Sequence, residues 1–344
     1  MEYIVIAFLW LSILLYLVLG GADFGAGIIE LFSPPGNRTR TRKAAYQAIG
    51  PIWEANHMWL VIAVVILFVG FPVIYSTLSI YLHIPLVIML IGITARGTAF
   101  VFRNYDAVVD NMQRVYDRIF LYSSFVTPLF LGIIAGTAIS GRINPDAVDF
   151  ASAYLFNWLN WFTVAVGLFT TALCGFLASV YLIGEAKTEA DKRSFVLKAR
   201  NWNVITVTCG GLVFFAAWIE HIPLIAWIFG NVVGLSTVIT ASLSLVVLWY
   251  LVLHGKTIVP RVLAGFQSSM ILLAVSYAHF PDFLIMHNGQ HLSLFRHQAP
   301  ASTMQALGWA LVIGSVFILP ALFYLYYSFQ KDDNTEPGTE FSKH

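Results

Sequence analysis

The chain has 344 residues, of which 58% are hydrophobic and only 11% charged, with a mean hydropathy of +0.77. A water-soluble domain carries about 25% charged residues, so this composition excludes a soluble globule and implies an integral membrane protein. The formal net charge of +1 and the scatter of the basic residues argue against nucleic acid as a partner.

The first apolar stretch, residues 3–32, follows no basic segment and is about twice the length of a signal sequence's apolar core, so it reads as an uncleaved spanning helix. It ends in LGGADFGAG, where Gly20, Gly21, Gly25 and Gly27 predict close helix contact. Eight further stretches reach the roughly 17–25 residues needed to cross a bilayer: 48–77, 80–102, 117–140, 155–184, 202–220, 225–253, 261–280 and 304–329. The divisions around Tyr75 to Tyr81 and at Pro223 are the least marked. Trp53, Trp59, Trp158, Trp161, Trp202, Trp218, Trp227 and Trp249 largely mark helix ends, as an interfacial aromatic belt does. The expectation is an all-α integral membrane protein of about nine transmembrane helices in one bundle. It has one helical domain over residues 1–330 and a polar tail, 331–344, that reads as disordered.

Lysine and arginine accumulate on the cytoplasmic side of membrane proteins. With the N-terminus outside and the C-terminus cytoplasmic, sixteen of the nineteen basic residues fall in inner segments. Only Arg142 and Arg296 are then outside, and Arg96 lies within a span. The mixed-charge stretch Glu185–Arg200 becomes a solvated cytoplasmic face.

Three ionisable residues interrupt apolar runs: Asp23, Glu54 in GPIWEANHMW and Arg96 in IGITARGTAF. Each costs about 2.5–3.5 kcal/mol on insertion scales, so such groups need a partner or a task. At 1.5 Å per residue, Asp23 lies about 13 Å from the inner boundary, and Glu54 and Arg96 lie about 9 Å from it. Consecutive spans with short loops pack as neighbours, so Arg96 is expected to reach one or both acids. Two acids against one cation would raise one carboxyl's pKa and let it carry a proton. From Glu54, the same helix face continues to His57 and Met58, which reads as the mouth of a polar path. A structural ion pair that only fixes helix register is the plainer alternative.

The histidines give no convincing axial pair for a haem. His57 alone is intramembrane, His83, His221 and His279 sit near outer ends, and His287, His291 and His297 belong to an outer loop. Glu54 and His57 also spell Glu-x-x-His, the spacing of di-iron bundles, but the second copy such sites need is absent. Cys174 and Cys209 lie in apolar runs and read as small buried side chains rather than a disulfide or metal site. No catalytic, cofactor-binding or metal-ligating residue is assigned within this chain.

GADFGAG closing the first helix, AIGPIWEANHMWL opening the second, RGTAF in the third and the nine-helix length together resemble subunit II of cytochrome bd-type quinol oxidases. The specific motifs run to about Asp117. In that family the second motif is more often Trp-Asp-Gly-Asn, where this chain has Trp53, Glu54, Ala55 and Asn56. A further acid commonly precedes the first motif, where Gly20 or Gly21 stands here.

The resemblance implies a bacterial or archaeal cytoplasmic membrane and a heterodimer whose other subunit, subunit I, binds haem b, haem d and the quinol. This subunit would complete the complex that reduces O2 to water. Glu54, Asp23 and Arg96 would form its cytoplasmic proton-entry path, with Trp53, Asn56 and His57 in support. The competing readings are a proton-coupled transporter and a purely structural membrane subunit. The transporter is disfavoured because its site is usually near the midplane with broken helices in both halves, and the second half here has no clear intramembrane charge.

Overall fold

A computed structural model describes residues 1–50, 53–105, 111–186 and 188–332, with the backbone alone at 48–49, 104–105, 111, 326 and 329–332. Helix α1 (Glu2–Leu15), a π-helical turn (Tyr16–Gly20) and α2 (Gly21–Leu31) form the first span. A basic helix α3 (Pro35–Ile49) follows on the surface, then α4 (Trp53–Gly70), α5 (Pro72–Tyr81), α6 (His83–Tyr105) and α7 (Asn111–Ser140). The second half holds the short α8 (Phe150–Tyr154), α9 (Trp161–Ile183), α10 (Glu189–Ile219), α11 (Leu224–Phe229), α12 (Val232–Leu253) and α13 (Ile258–His279). A hairpin of β1 (Asp282–Ile285) and β2 (His291–Ser293) precedes α14 (Ala301–Asp332).

Among the described residues, nine helical segments are long and apolar enough to cross a membrane, in agreement with the expected class. Among the boundaries that differ from the expected ones, three have a plain local reason. The predicted 48–77 span stops at Gly70, because Pro72 has no N–H to continue the ladder and opens α5 at its first turn. The 225–253 span is broken after Phe229, where the Asn231 side chain accepts the Gly234 N–H and starts α12 afresh. The sixth span begins at Glu189, capped by Thr188, so most of the mixed-charge stretch is helix rather than loop. Residues 333–344 of the predicted tail lie outside the described residues, while α14 continues through Asp332.

Without water to drive helices together in lipid, association depends on close backbone approach at small residues. The GGADFGAG glycines provide it. A Cβ on Gly25 would lie 1.9 Å from the Cys174 carbonyl oxygen, and one on Gly27 would lie 2.3 Å from Ser124 Oγ. Helix α2 is therefore wedged between α7 and α9, and every residue from Gly21 to Glu30 is buried. That wedge carries Asp23 into the centre of the bundle.

Candidate functional site

Asp23 is 1% exposed and so is Arg96. Arg96 Nη1 and Nη2 donate to the two Asp23 carboxylate oxygens at 2.8 Å each, and Nη2 also donates to the Asp23 carbonyl at 3.0 Å. Its Nε donates to Ser124 Oγ at 3.1 Å, and the guanidinium lies over the rings of Phe24 and Phe120 at 5.1 and 5.0 Å. All of the guanidinium's directions are thus occupied by α2 and α7, the two helices that flank it. The bidentate geometry is that of an ionised pair.

His57, one turn into α4, points its Nε2 at Asp23 Oδ2 from 3.5 Å. Its ring is enclosed by Tyr16, Phe24 and Trp53, with centroids 5.9, 5.5 and 6.3 Å away. Its Nδ1, the Tyr16 hydroxyl and Ser12 Oγ are buried polar atoms without a hydrogen-bond partner among the described residues. Ser12 and Tyr16 lie eleven and seven residues before Asp23 on the same span, so these atoms continue the polar column toward the opposite membrane face. A porphyrin does not fit this setting, because aromatic side chains pack directly on the imidazole and its Nε2 is directed at a carboxylate. Among the described residues no group of three His, Cys, Asp or Glu side chains could hold a metal ion.

A second charged layer lies below the first. Glu30, 1% exposed, accepts from Arg103 Nη2 at 2.7 and 2.8 Å and from Arg42 Nε at 3.0 Å. Asp117 accepts from Arg42 Nη2 at 2.6 Å and lies 3.0 Å from Arg103 Nε. Burial works against the Arg42 charge, yet hydrogen bonds to Asp117 and Glu30 hold its pKa above the ordinary value. Two carboxylates and two guanidiniums close this layer with no net charge. Between the layers a cavity of about 20 Å³, lined by Ala26, Glu30, Tyr46, Arg96 and Arg103 among others, exceeds the roughly 10–15 Å³ that one water requires.

The sequence led us to expect Arg96 to reach one or both of Asp23 and Glu54, and it reaches Asp23. That expectation did not bring in Glu30, Arg103, Arg42 or Asp117. The missed signal is a repeat: Glu30 follows Asp23 by seven residues, and Arg103 follows Arg96 by seven. Seven residues are two helical turns, so two helices crossing in the same direction present two rungs on one seam. Glu54 is the acid that Arg96 does not reach. It is exposed on the first turn of α4 and makes no hydrogen bond or ion pair among the described residues. With Arg96 fully paired to Asp23, the predicted excess of one acid inside the first layer does not arise. Trp53 beside it is anchored on Phe100 at 5.3 Å and over Gly97, and Asn56 is buried.

The sequence profile of the family described as cytochrome bd terminal oxidase subunit II matches residues 1–329. The chain belongs to that family. It is 31% identical over 174 residues to cytochrome bd ubiquinol oxidase subunit 2 of Bacillus subtilis, covering 50% of this chain and 49% of that one. It is 24% identical over 230 residues to the cytochrome bd-I ubiquinol oxidase subunit 2 of Escherichia coli, 64% of this chain and 59% of that one. These two matches therefore span about half the relatives' length. A putative cytochrome bd menaquinol oxidase subunit II of Bacillus subtilis matches over 96% of this chain and 95% of its own at 22% identity. The fold is that of a chain of the bd oxidase from Geobacillus thermodenitrificans, with a TM-score of 0.71 at 21% identity over 95% of this chain and 98% of that one.

Proposed function

We propose that this chain is the non-haem subunit of a quinol:O2 oxidoreductase of the cytochrome bd type, and that its inner charged layers and α4 carry protons toward the oxygen-reducing site. Haem b, haem d and the quinol belong, on this reading, to subunit I in the bacterial or archaeal cytoplasmic membrane. The chemistry the haems supply there is electron transfer and O2 reduction; this chain supplies charge, water access and orientation. The family match over residues 1–329 supports the assembly. The observation that carries the proton reading is the continuous polar column from Glu30 through the one-water cavity to Arg96, Asp23 and His57.

Within that column the Asp23–Arg96 pair is the fixed element. Both carboxylate oxygens are occupied by guanidinium N–H groups, so the pair orients His57 and keeps the layer polar rather than releasing a proton itself. Glu54 is the exposed one. It lies one turn before His57 on α4, and a carboxyl facing hydrocarbon costs a few kcal/mol. A partner subunit covering this face removes that penalty and makes Glu54 the handover point between chains.

The test is quinol-dependent oxygen uptake by the purified two-subunit complex, with the haem spectrum as a control for assembly. Glu54→Ala is expected to lower turnover by about 10²-fold, the scale of losing one proton-transfer group, with the spectrum intact, and Glu54→Asp to restore most of it. Unchanged turnover in Glu54→Ala combined with Asp23→Asn would reduce these charges to a structural role. A chain that purifies without any haem-bearing partner would overturn the assembly.

A further inference from the structure

Away from the charged column, the structure holds a larger cavity of about 460 Å³ between α2, α7, α9 and α10. Its floor and walls are largely apolar: Ile29, Phe125, Ala172, Ile205 and Cys209. The exposed rings and chains of Phe32, Leu168 and Ile205 form its rim, so it opens sideways along the helices rather than toward water alone. One end is different. There Lys198, Ser33 and Asn201 line the space.

Helix geometry gives the cavity a direction. Lys198, Trp202, Ile205 and Cys209 follow one another along one face of α10 at intervals of three or four residues, with Asn201 beside Trp202. The eleven steps from Lys198 to Cys209 rise about 16 Å, which is half of a bilayer's ~30 Å hydrocarbon core. A cation therefore heads an apolar trough as deep as one leaflet. Trp202 makes the step between them: its indole sits over Gly175, where a Cβ would be 2.7 Å from the ring, and it packs edge-on against Phe32 at 5.6 Å. The polar end lies on the side of α3, which carries Arg38, Arg40, Arg42 and Lys43.

The charge at this end is incompletely answered. The Lys198 ammonium is half-buried, stands 5.4 Å from the Phe195 ring centroid, and donates to Ser33 Oγ at 2.9 Å and to Thr41 Oγ1. Both acceptors are neutral hydroxyls, and an ammonium has three donors. Among the described residues no carboxylate lies within ion-pair distance of it. The guanidiniums of Arg42, Arg96 and Arg103, by contrast, each have a carboxylate. A desolvated cation needs an anion or gives up its charge.

We propose that this cavity is a binding site for one anionic phospholipid, with the phosphate on Lys198 and Asn201 and an acyl chain lying along Trp202, Ile205 and Cys209. An anionic diacyl lipid answers the three features together: negative charge at the cation, an amphipathic boundary at the tryptophan, and a leaflet-deep apolar tail below. A free phosphate leaves the trough empty. An isoprenoid quinone fills the trough but brings no charge to Lys198.

The experiment uses the intact complex. After exchange into a delipidating detergent, retained lipid is measured by native mass spectrometry and lipid extraction, before and after adding back phosphatidylglycerol or phosphatidylcholine of matched chains. The wild type is expected to hold phosphatidylglycerol preferentially. Lys198→Gln should weaken it about fivefold, the scale of one basic contact to an anionic lipid, and Lys198→Arg should keep it. Ile205→Trp, which fills the trough from its exposed rim and leaves Lys198 in place, should also expel it. Equal retention in wild type and Lys198→Gln, equal retention of the two lipids, displacement by inorganic phosphate, or loss of a quinone rather than a phospholipid in both variants would each overturn the assignment.

Discussion

Replacing Arg96 by methionine removes the cation that ties α6 to α2 while keeping the length of the side chain. Asp23 is left as a buried acid whose remaining partner is His57 at 3.5 Å. Breaking one member of a buried pair costs about 3–5 kcal/mol, because the surviving charge is uncompensated. Two ring contacts, to Phe24 and Phe120, add about 0.5–2 kcal/mol to the loss. Arg96→Met is therefore expected to destabilise more than Asp23→Leu, which leaves the cation still held over both rings and on Ser124 Oγ. The double variant removes both charges and should lie close to the milder single variant, since apolar replacement of a whole buried pair is often nearly neutral. Detergent-induced unfolding followed by the fluorescence of the ten tryptophans measures all four proteins. A double variant whose loss equals the sum of the two singles would mean that Asp23 and Arg96 contribute independently, and the ion-pair account would be wrong.

Gly25→Ala drives a methyl into the Cys174 carbonyl at 1.9 Å, so α2 and α9 must separate; overpacking of this kind costs about 1–3 kcal/mol or more, read as a lower unfolding midpoint, whereas Gly36→Ala, with open space around it, should be silent. Glu30→Gln leaves Arg42 and Arg103 facing each other across one remaining carboxylate and is expected to lower stability by about 3 kcal/mol, with hydrogen exchange rising first in α3. Asp149 caps α8 by accepting the Ser152 N–H at 2.8 Å, and that bond holds its pKa below the ordinary carboxylate value. The cap is thus fully present above the ordinary value and is lost as pH falls through the depressed one; exchange at Ser152 should show this acid limb, and Asp149→Asn should flatten it.

The fold class was legible because hydropathy reports the solvent. Nine apolar stretches, a lateral bias in lysine and arginine, and three charges in apolar runs are properties of composition along a line, and lipid tolerates few alternatives to helices for such segments. Three of the misplaced boundaries trace to Pro72 and to the Asn231 and Thr188 caps, which act over single residues. Arg96 could be expected to meet an acid because Asp23, Glu54 and Arg96 fall in the same inner third of neighbouring spans, but depth alone did not choose between the two acids.

What the line of residues could not decide was company. Glu30 and Arg103 sit near helix ends, where charges are ordinary, and only the packing of α2 and α6 on the same α7 turns two seven-residue spacings into stacked ion pairs. Likewise Glu54 and Asp23 carry the same formal charge, yet glycine contacts draw one into the bundle centre while the rotation of α4 turns the other outward. Lys198 passed as one more cytoplasmic lysine until four helices enclosed an apolar trough beneath it. Burial and neighbours are long-range quantities set by which helix faces meet, and those are fixed by tertiary packing rather than by any residue's own chemistry.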